Sequence, residues 1–190
     1  MKDFSRSIIW RRLDQPGHEW AQGSTTDDGT QFFGTAIFID QGMRCCLDYL
    51  IDCDENGETV AVEVIGEAGD ETIEIEISVD DHGSWTMNGE HQPQVGDCID
   101  IDLNFSPFTN TLPIRRLDLE VGESENLSAA WLRFPSFKLE RFEQTYTRTG
   151  ENIYRYESQG GEFQRDLTVD EHGFVTEYPG IWIEESPGKD

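Results

Sequence analysis

The chain has 190 residues, 36% of them apolar and 11% aromatic, which suffices for one domain (1–190) with a sizeable core. Its 39 Asp and Glu against 14 Lys and Arg give a net charge of −25, and a surface of that sign excludes nucleic-acid backbones and anionic membranes as partners. No run approaches the roughly 20 apolar residues of a membrane helix, and MKDFSRSIIWRRLDQPG carries no apolar core before a small-residue cleavage site, so the chain reads as unexported and cytoplasmic.

The first clear element in chain order is QFFGTAIFID (31–40), followed by CCLDYLIDC (45–53) and TVAVEVIG (59–66). All three are rich in β-branched and aromatic residues and are predicted strands. TIEIEISV (72–79) alternates strictly, with Ile73, Ile75, Ile77 and Val79 on one face and glutamates on the other. IDIDLNF (99–105) repeats the pattern with Ile99, Ile101, Leu103 and Phe105. SPFTNTLP is predicted as a long connection, and RRLDLEV (115–121) as the next strand. AAWLRF, FKLERFEQTYTRT, IYRYES, FQRDLTVD and GFVTEY complete the series. No ten-residue segment shows helical amphipathicity. The expected fold is all-β, a single antiparallel sheet curved into a roll.

Three turns share one form, DENG (54–57), DDHG (80–83) and DEHG (170–173). An Asp that opens a turn bonds local amides, and the closing Gly takes positive φ. The likeness of VDDHGSW to VDEHGFV also fits a duplication offset by 90 residues, although hairpins converge on such turns. The segment DCDENGETVAVE (52–63) satisfies the calcium-loop spacing through Asp52, Asp54, Asn56, Gly57 and Glu63. It lacks the flanking helices, so a polar-tipped hairpin is the better reading and no metal is assigned. Cys45, Cys46, Cys53 and Cys98 fit no zinc spacing and are expected as reduced thiols, some packed as small hydrophobes.

Between Cys45 and Ile114 there is no Lys or Arg at all, and then Arg115 and Arg116 arrive together. On a strand one of them faces inward and needs a carboxylate. Asp97, Asp100 and Asp102 are candidates, the last two about 7 Å apart on one strand face. Such a pair serves a solvated face, ion pairing with the arginines, a metal, or glycoside hydrolysis. Histidines are few, no Ser-His or Cys-His pairing is visible, and no phosphate loop occurs. Enzyme chemistry is therefore weakly signalled and no cofactor is expected.

DCIDIDLNFSPFTNTLPIRRLDL resembles the signature of a glycolipid-binding family that was formerly a family of unknown function. WRRLDQPGHE, GSWTMNGE, FEQTYTR, YRYES and VDEHGFVTEYPGIW match in the same order, and the likeness covers about residues 8–183. The resemblance implies a spiral β-roll, similar to bacterial lipoprotein carriers. Its motif positions here are Asp100, Asp102, Pro107, Phe108, Thr109, Asn110, Pro113, Arg115 and Arg116, then Gln144, Tyr146, Tyr156, Tyr178, Pro179 and Gly180. The DENGET hairpin departs from the pattern. The implied function is non-enzymatic binding of a glycolipid or similar small amphiphile on the concave side of the sheet. Asp100, Asp102, Thr109, Asn110, Arg115, Arg116, Tyr146, Tyr156 and Tyr178 would form the site. The alternatives are a hydrolase of carbohydrate-linked substrates acting through Asp100 and Asp102, and a purely structural protein.

Lys occurs only at positions 2, 138 and 189. Abundant carboxylate with scarce Lys is the composition expected of a protein working in high salt, where screening shortens the reach of self-repulsion.

Overall fold

A computed structural model of the chain describes residues 4–185. Alternation decides the strands. In Glu71–Val79, Ile73, Ile75 and Ile77 are buried while Glu74 and Glu76 are exposed, as a sheet with one covered face requires. Fifteen strands are present among the described residues. A first arm holds β1 (Ser5–Arg12), β2 (Gly17–Thr26), β3 (Gly29–Asp40), β4 (Met43–Cys53), β5 (Thr59–Ala68), β6 (Glu71–Val79), β7 (Trp85–Met87) and β8 (Glu90–His91). A second arm holds β9 (Asp100–Leu103), β10 (Ser124–Arg133), β11 (Lys138–Gly150), β12 (Ile153–Ser158), β13 (Phe163–Val169), β14 (Val175–Tyr178) and β15 (Trp182–Glu184). The first arm and β10–β15 of the second are meanders, β9 lies beyond β10 at the edge, and the arms join through β1 against β15, giving the order β8 to β1, then β15 to β9.

Every ladder is antiparallel except β9 with β10. A parallel pair needs a crossover. Residues 104–123 supply it, and they contain the helix α1 (Thr111–Leu117). This corrects the expected strand at 115–121. Pro113 sits in the first turn of α1, where an amide would lack an intrahelical partner anyway. Thr111, Leu112, Pro113 and Ile114 are buried. Asp118, left-handed at φ 43°, ends the helix by donating its N–H to Ile114 O.

The three Asp–Gly turns adopt one geometry. Asp54, Asp80 and Asp170 each accept two amides on Oδ1, from the residues two and four positions on, at 2.9–3.0 Å. Gly57, Gly83 and Gly173 close them at φ 84°, 73° and 82°. In the segment 52–63 the carboxylate of Asp54 is thus spent on the hairpin tip between β4 and β5.

The core lies on the sheet face that residues 105–114 cover. Phe108 is fully buried among Trp10 of β1, Phe32 of β3, Tyr49 of β4 and Phe174 beside β14, with ring centroids 5.1–6.2 Å away. Phe105 packs on Phe38 and Tyr49. All four cysteines are free, three of them in this core and Cys46 exposed. The end strands β8 and β9 do not pair, so the sheet is open. It is not the tightly curled roll expected, because the wedge of residues 105–114 fills the space that closer curling would have to close.

Candidate functional site

The carboxylates of β9 divide. Asp100 is 1% exposed and receives Arg116 in a two-pronged bond, Nε at 3.1 Å and Nη2 at 2.6 Å. Burial pushes the Asp100 carboxyl up, against the pull of Arg116. This ion pair answers why an arginine is needed here: α1 carries the guanidinium down to a carboxylate that would otherwise be stranded. Asp102 instead faces a cleft. Burial pushes its carboxyl up to about 6, opposed by a 2.6 Å bond from Gln144 Nε2. The two carboxylates of the alternative hydrolase reading, Asp100 held by Arg116 and Asp102 facing the cleft, thus stand in different surroundings.

The cleft beside Asp102 has a volume of about 250 Å³. It lies between β9–β13 on one side and β1, β14 and β15 on the other. Asn110, Tyr156 and Tyr178 line it, together with Arg12, Ser106, Ser158, Phe163 and Trp182. The Tyr156 and Tyr178 rings meet edge to face at 6.3 Å, and Phe163 packs on both. Tyr146 stands behind the cleft wall, 5.2 Å from Tyr156, and its hydroxyl donates to Asn110 Oδ1 at 2.9 Å. Trp131 and Phe142 stack at 4.6 Å along another edge. The cleft thus offers ring faces beside a carboxylate, an amide, hydroxyls and a guanidinium, a set able to grip a polyhydroxylated group.

Of the nine expected residues, Asp102, Asn110, Tyr156 and Tyr178 meet in this cleft, with Tyr146 supporting it from behind. The others do not join them. Thr109 is buried and accepts the Leu103 N–H on Oγ1 at 3.2 Å, closing the end of β9. Asp100 and Arg116 form the pair described above. Arg115, one residue further round the helix, points away toward Phe4 and His172.

Sequence reasoning missed Arg12, Trp131, Phe163 and Trp182 as lining residues, and missed Glu19. Glu19 is 1% exposed on β2, and its Oε1 accepts the Tyr49 and Ser106 hydroxyls, each at 2.6 Å. Burial pushes this carboxyl up to about 8. Its signal was available in the alternation of Glu19, Ala21 and Gly23, which puts the acid on the covered face and leaves Trp20 outside.

No curated protein matches the chain. A crystal structure of a DUF1089 family protein (PA1994) from Pseudomonas aeruginosa matches at a TM-score of 0.76 and 32% identity, covering 86% of this chain and 90% of that one. The family model described as Putative glycolipid-binding matches residues 7–183, nearly the whole of the described molecule, and the chain belongs to that family.

Proposed function

We propose that the protein binds, without catalysis, the sugar head of a glycolipid or similar amphiphile in the cleft of Asp102, Asn110, Tyr156 and Tyr178. The observation that carries this reading is the convergence of four ring-bearing walls, Tyr156, Phe163, Tyr178 and Trp182, on one carboxylate that Gln144 bonds but no described cation pairs. Sugars present apolar ring faces and hydroxyl edges, and such a mixture meets both. Tyr178 stacks on the sugar, Asp102 and Asn110 take its hydroxyls, and the acyl part runs out over the half-buried Trp131 and Phe142. The finer picture, an amphiphile held in the hollow of a curved sheet, belongs to the same proposal, with the wedge of residues 105–114 confining the ligand to the cleft beside it.

Tryptophan fluorescence titration with an alkyl glucoside below its micelle concentration tests the reading. Saturable binding is expected, weakened about tenfold by Asp102→Asn and more by Tyr178→Ala. Because the Asp102 carboxyl titrates near 6, binding that uses the charged form strengthens as pH rises from 5 to 7. Absence of saturable binding in the intact folded protein would reject the proposal.

A further inference from the structure

Most arginines of this acidic chain meet a carboxylate, as Arg6 does with Asp170 and Glu184, and Arg116 with Asp100. Among the described residues, Arg44, Arg115, Arg148 and Arg165 have none within ion-pair distance, and two of these, Arg115 and Arg148, share one cleft. The bonds of these two go to neutral carbonyls. Arg115 Nη1 donates to His172 O at 2.8 Å. Arg148 donates through Nη1 to Leu119 O and through Nη2 to Glu151 O, both at 2.7 Å. Arg148 Nε is buried with no hydrogen-bond partner. Each guanidinium also lies over a ring, Arg115 at 3.9 Å from the Phe4 centroid and Arg148 at 5.6 Å from that of Tyr154.

Both arginines line one cleft of about 640 Å³, bounded by the end of α1, the β11–β12 turn and the Asp170–Gly173 turn. Burial pushes the Arg115 guanidinium down, whereas the carboxylate partners of Arg6 and Arg116 outweigh burial and carry theirs up. Acidic residues share the rim, but they are not equivalent. Asp170 is taken, Oδ2 by Arg6 and Oδ1 by the amides of His172 and Phe174. The Glu171 side chain is 87% exposed. Asp118 and Glu151 remain as acceptors at the edge.

The geometry points to a second binding site, for an acidic sugar such as a uronate or sugar phosphate, with Arg115 and Arg148 as its anion-holding pair. The anionic group accepts from both guanidiniums, the hydroxyls donate to Asp118 and Glu151, and the Tyr154 ring offers an apolar face. A neutral sugar would leave the two guanidiniums unanswered, and a bare anion would gain nothing from the rim carboxylates. The site uses none of the side chains of the Tyr178 cleft and stands or falls apart from it.

Calorimetric titration at low ionic strength, where screening is weakest, should use glucuronate, glucose 6-phosphate, glucose and inorganic phosphate. The acidic sugars are expected to bind at least about tenfold more tightly than glucose or phosphate alone. Arg148→Gln should remove most of that preference. Because Arg148 also holds two turns, Asn152→Trp serves as a second variant: Asn152 is exposed and lines the cleft, so the larger ring narrows the entry while both arginines are kept. An alkyl glucuronide that binds more tightly than glucuronate assigns the source to a lipid headgroup, and equal affinity assigns it to the free sugar. Glucose matching glucuronate, or acidic-sugar affinity surviving both variants, overturns the site.

Discussion

Glu19 is a carboxyl placed where the fold keeps it neutral. Its Oε1 accepts two hydroxyls, while Oε2 is buried without a partner. Burial lifts it to about 8, whereas an unfolded Glu titrates near about 4.3. Between those values the folded state holds a proton that the unfolded state has released. Stability therefore falls as pH rises through that window and levels off above it. Glu19→Gln should flatten the decline above pH 6 by as much as about 1.4 kcal/mol per pH unit. Urea midpoints of the two proteins across pH 6–8 would check it, and parallel curves would refute it. Residue-level legibility was uneven for a physical reason. Charge logic alone demanded a carboxylate for one of the two arginines, and Asp100 is it. Which arginine, and by what element, depended on a helix that alternation disguised. The meeting of Asp102, Asn110, Tyr156 and Tyr178 came from the family resemblance, since no spacing along the chain brings those four together.

Among the elements, strands and tight turns were readable and the crossover was not. A strand with one covered face announces itself by period two, as β6 does. The Asp–Gly turns are set by their own side chains, so three separate copies fold alike. β2 was passed over because its covered face carries Glu19, Ala21 and Gly23 while Trp20 sits outside, and β1 because Ile9 faces outward between the buried Ile8 and Trp10 and breaks the alternation. The helix α1 has seven residues, too short to display a 3.6-residue period, and its stability comes from what it rests on. That support begins at Phe108. Phe108→Ala would open a cavity among Trp10, Phe32, Tyr49 and Phe174, at a cost of about 3–5 kcal/mol. Chemical denaturation measures it. A loss under 1 kcal/mol would mean that the wedge is peripheral to the core.

For the whole molecule, the charge of −25 is spread over a sheet whose outer face sets like charges opposite one another. Glu63 faces Glu76 across β5 and β6, a destabilising arrangement in dilute buffer. We propose a high-salt working environment on this ground. Raising KCl from about 0.1 M to 1 M shortens the screening length from about 10 Å to 3 Å, so the melting temperature should climb over that range. A flat or falling curve would count against the proposal. The mainly β architecture was legible because both arms alternate. The openness of the sheet was not, since it follows from the volume of the wedge.

The seam between the arms carries a further implication for how the chain assembles. Each meander can zip from hairpins that close only a few residues. The β1–β15 ladder must bring Arg12 to Trp182 across nearly the full contour, for just three register pairs. Ring closure of that length is entropically the slowest event available. The weld is then held by side chains: Arg6 clasps Asp170 and Glu184, and the Trp10 indole donates to Val175 O at 2.6 Å. Two half-sheets that form early and wait to be riveted together are what this topology prescribes.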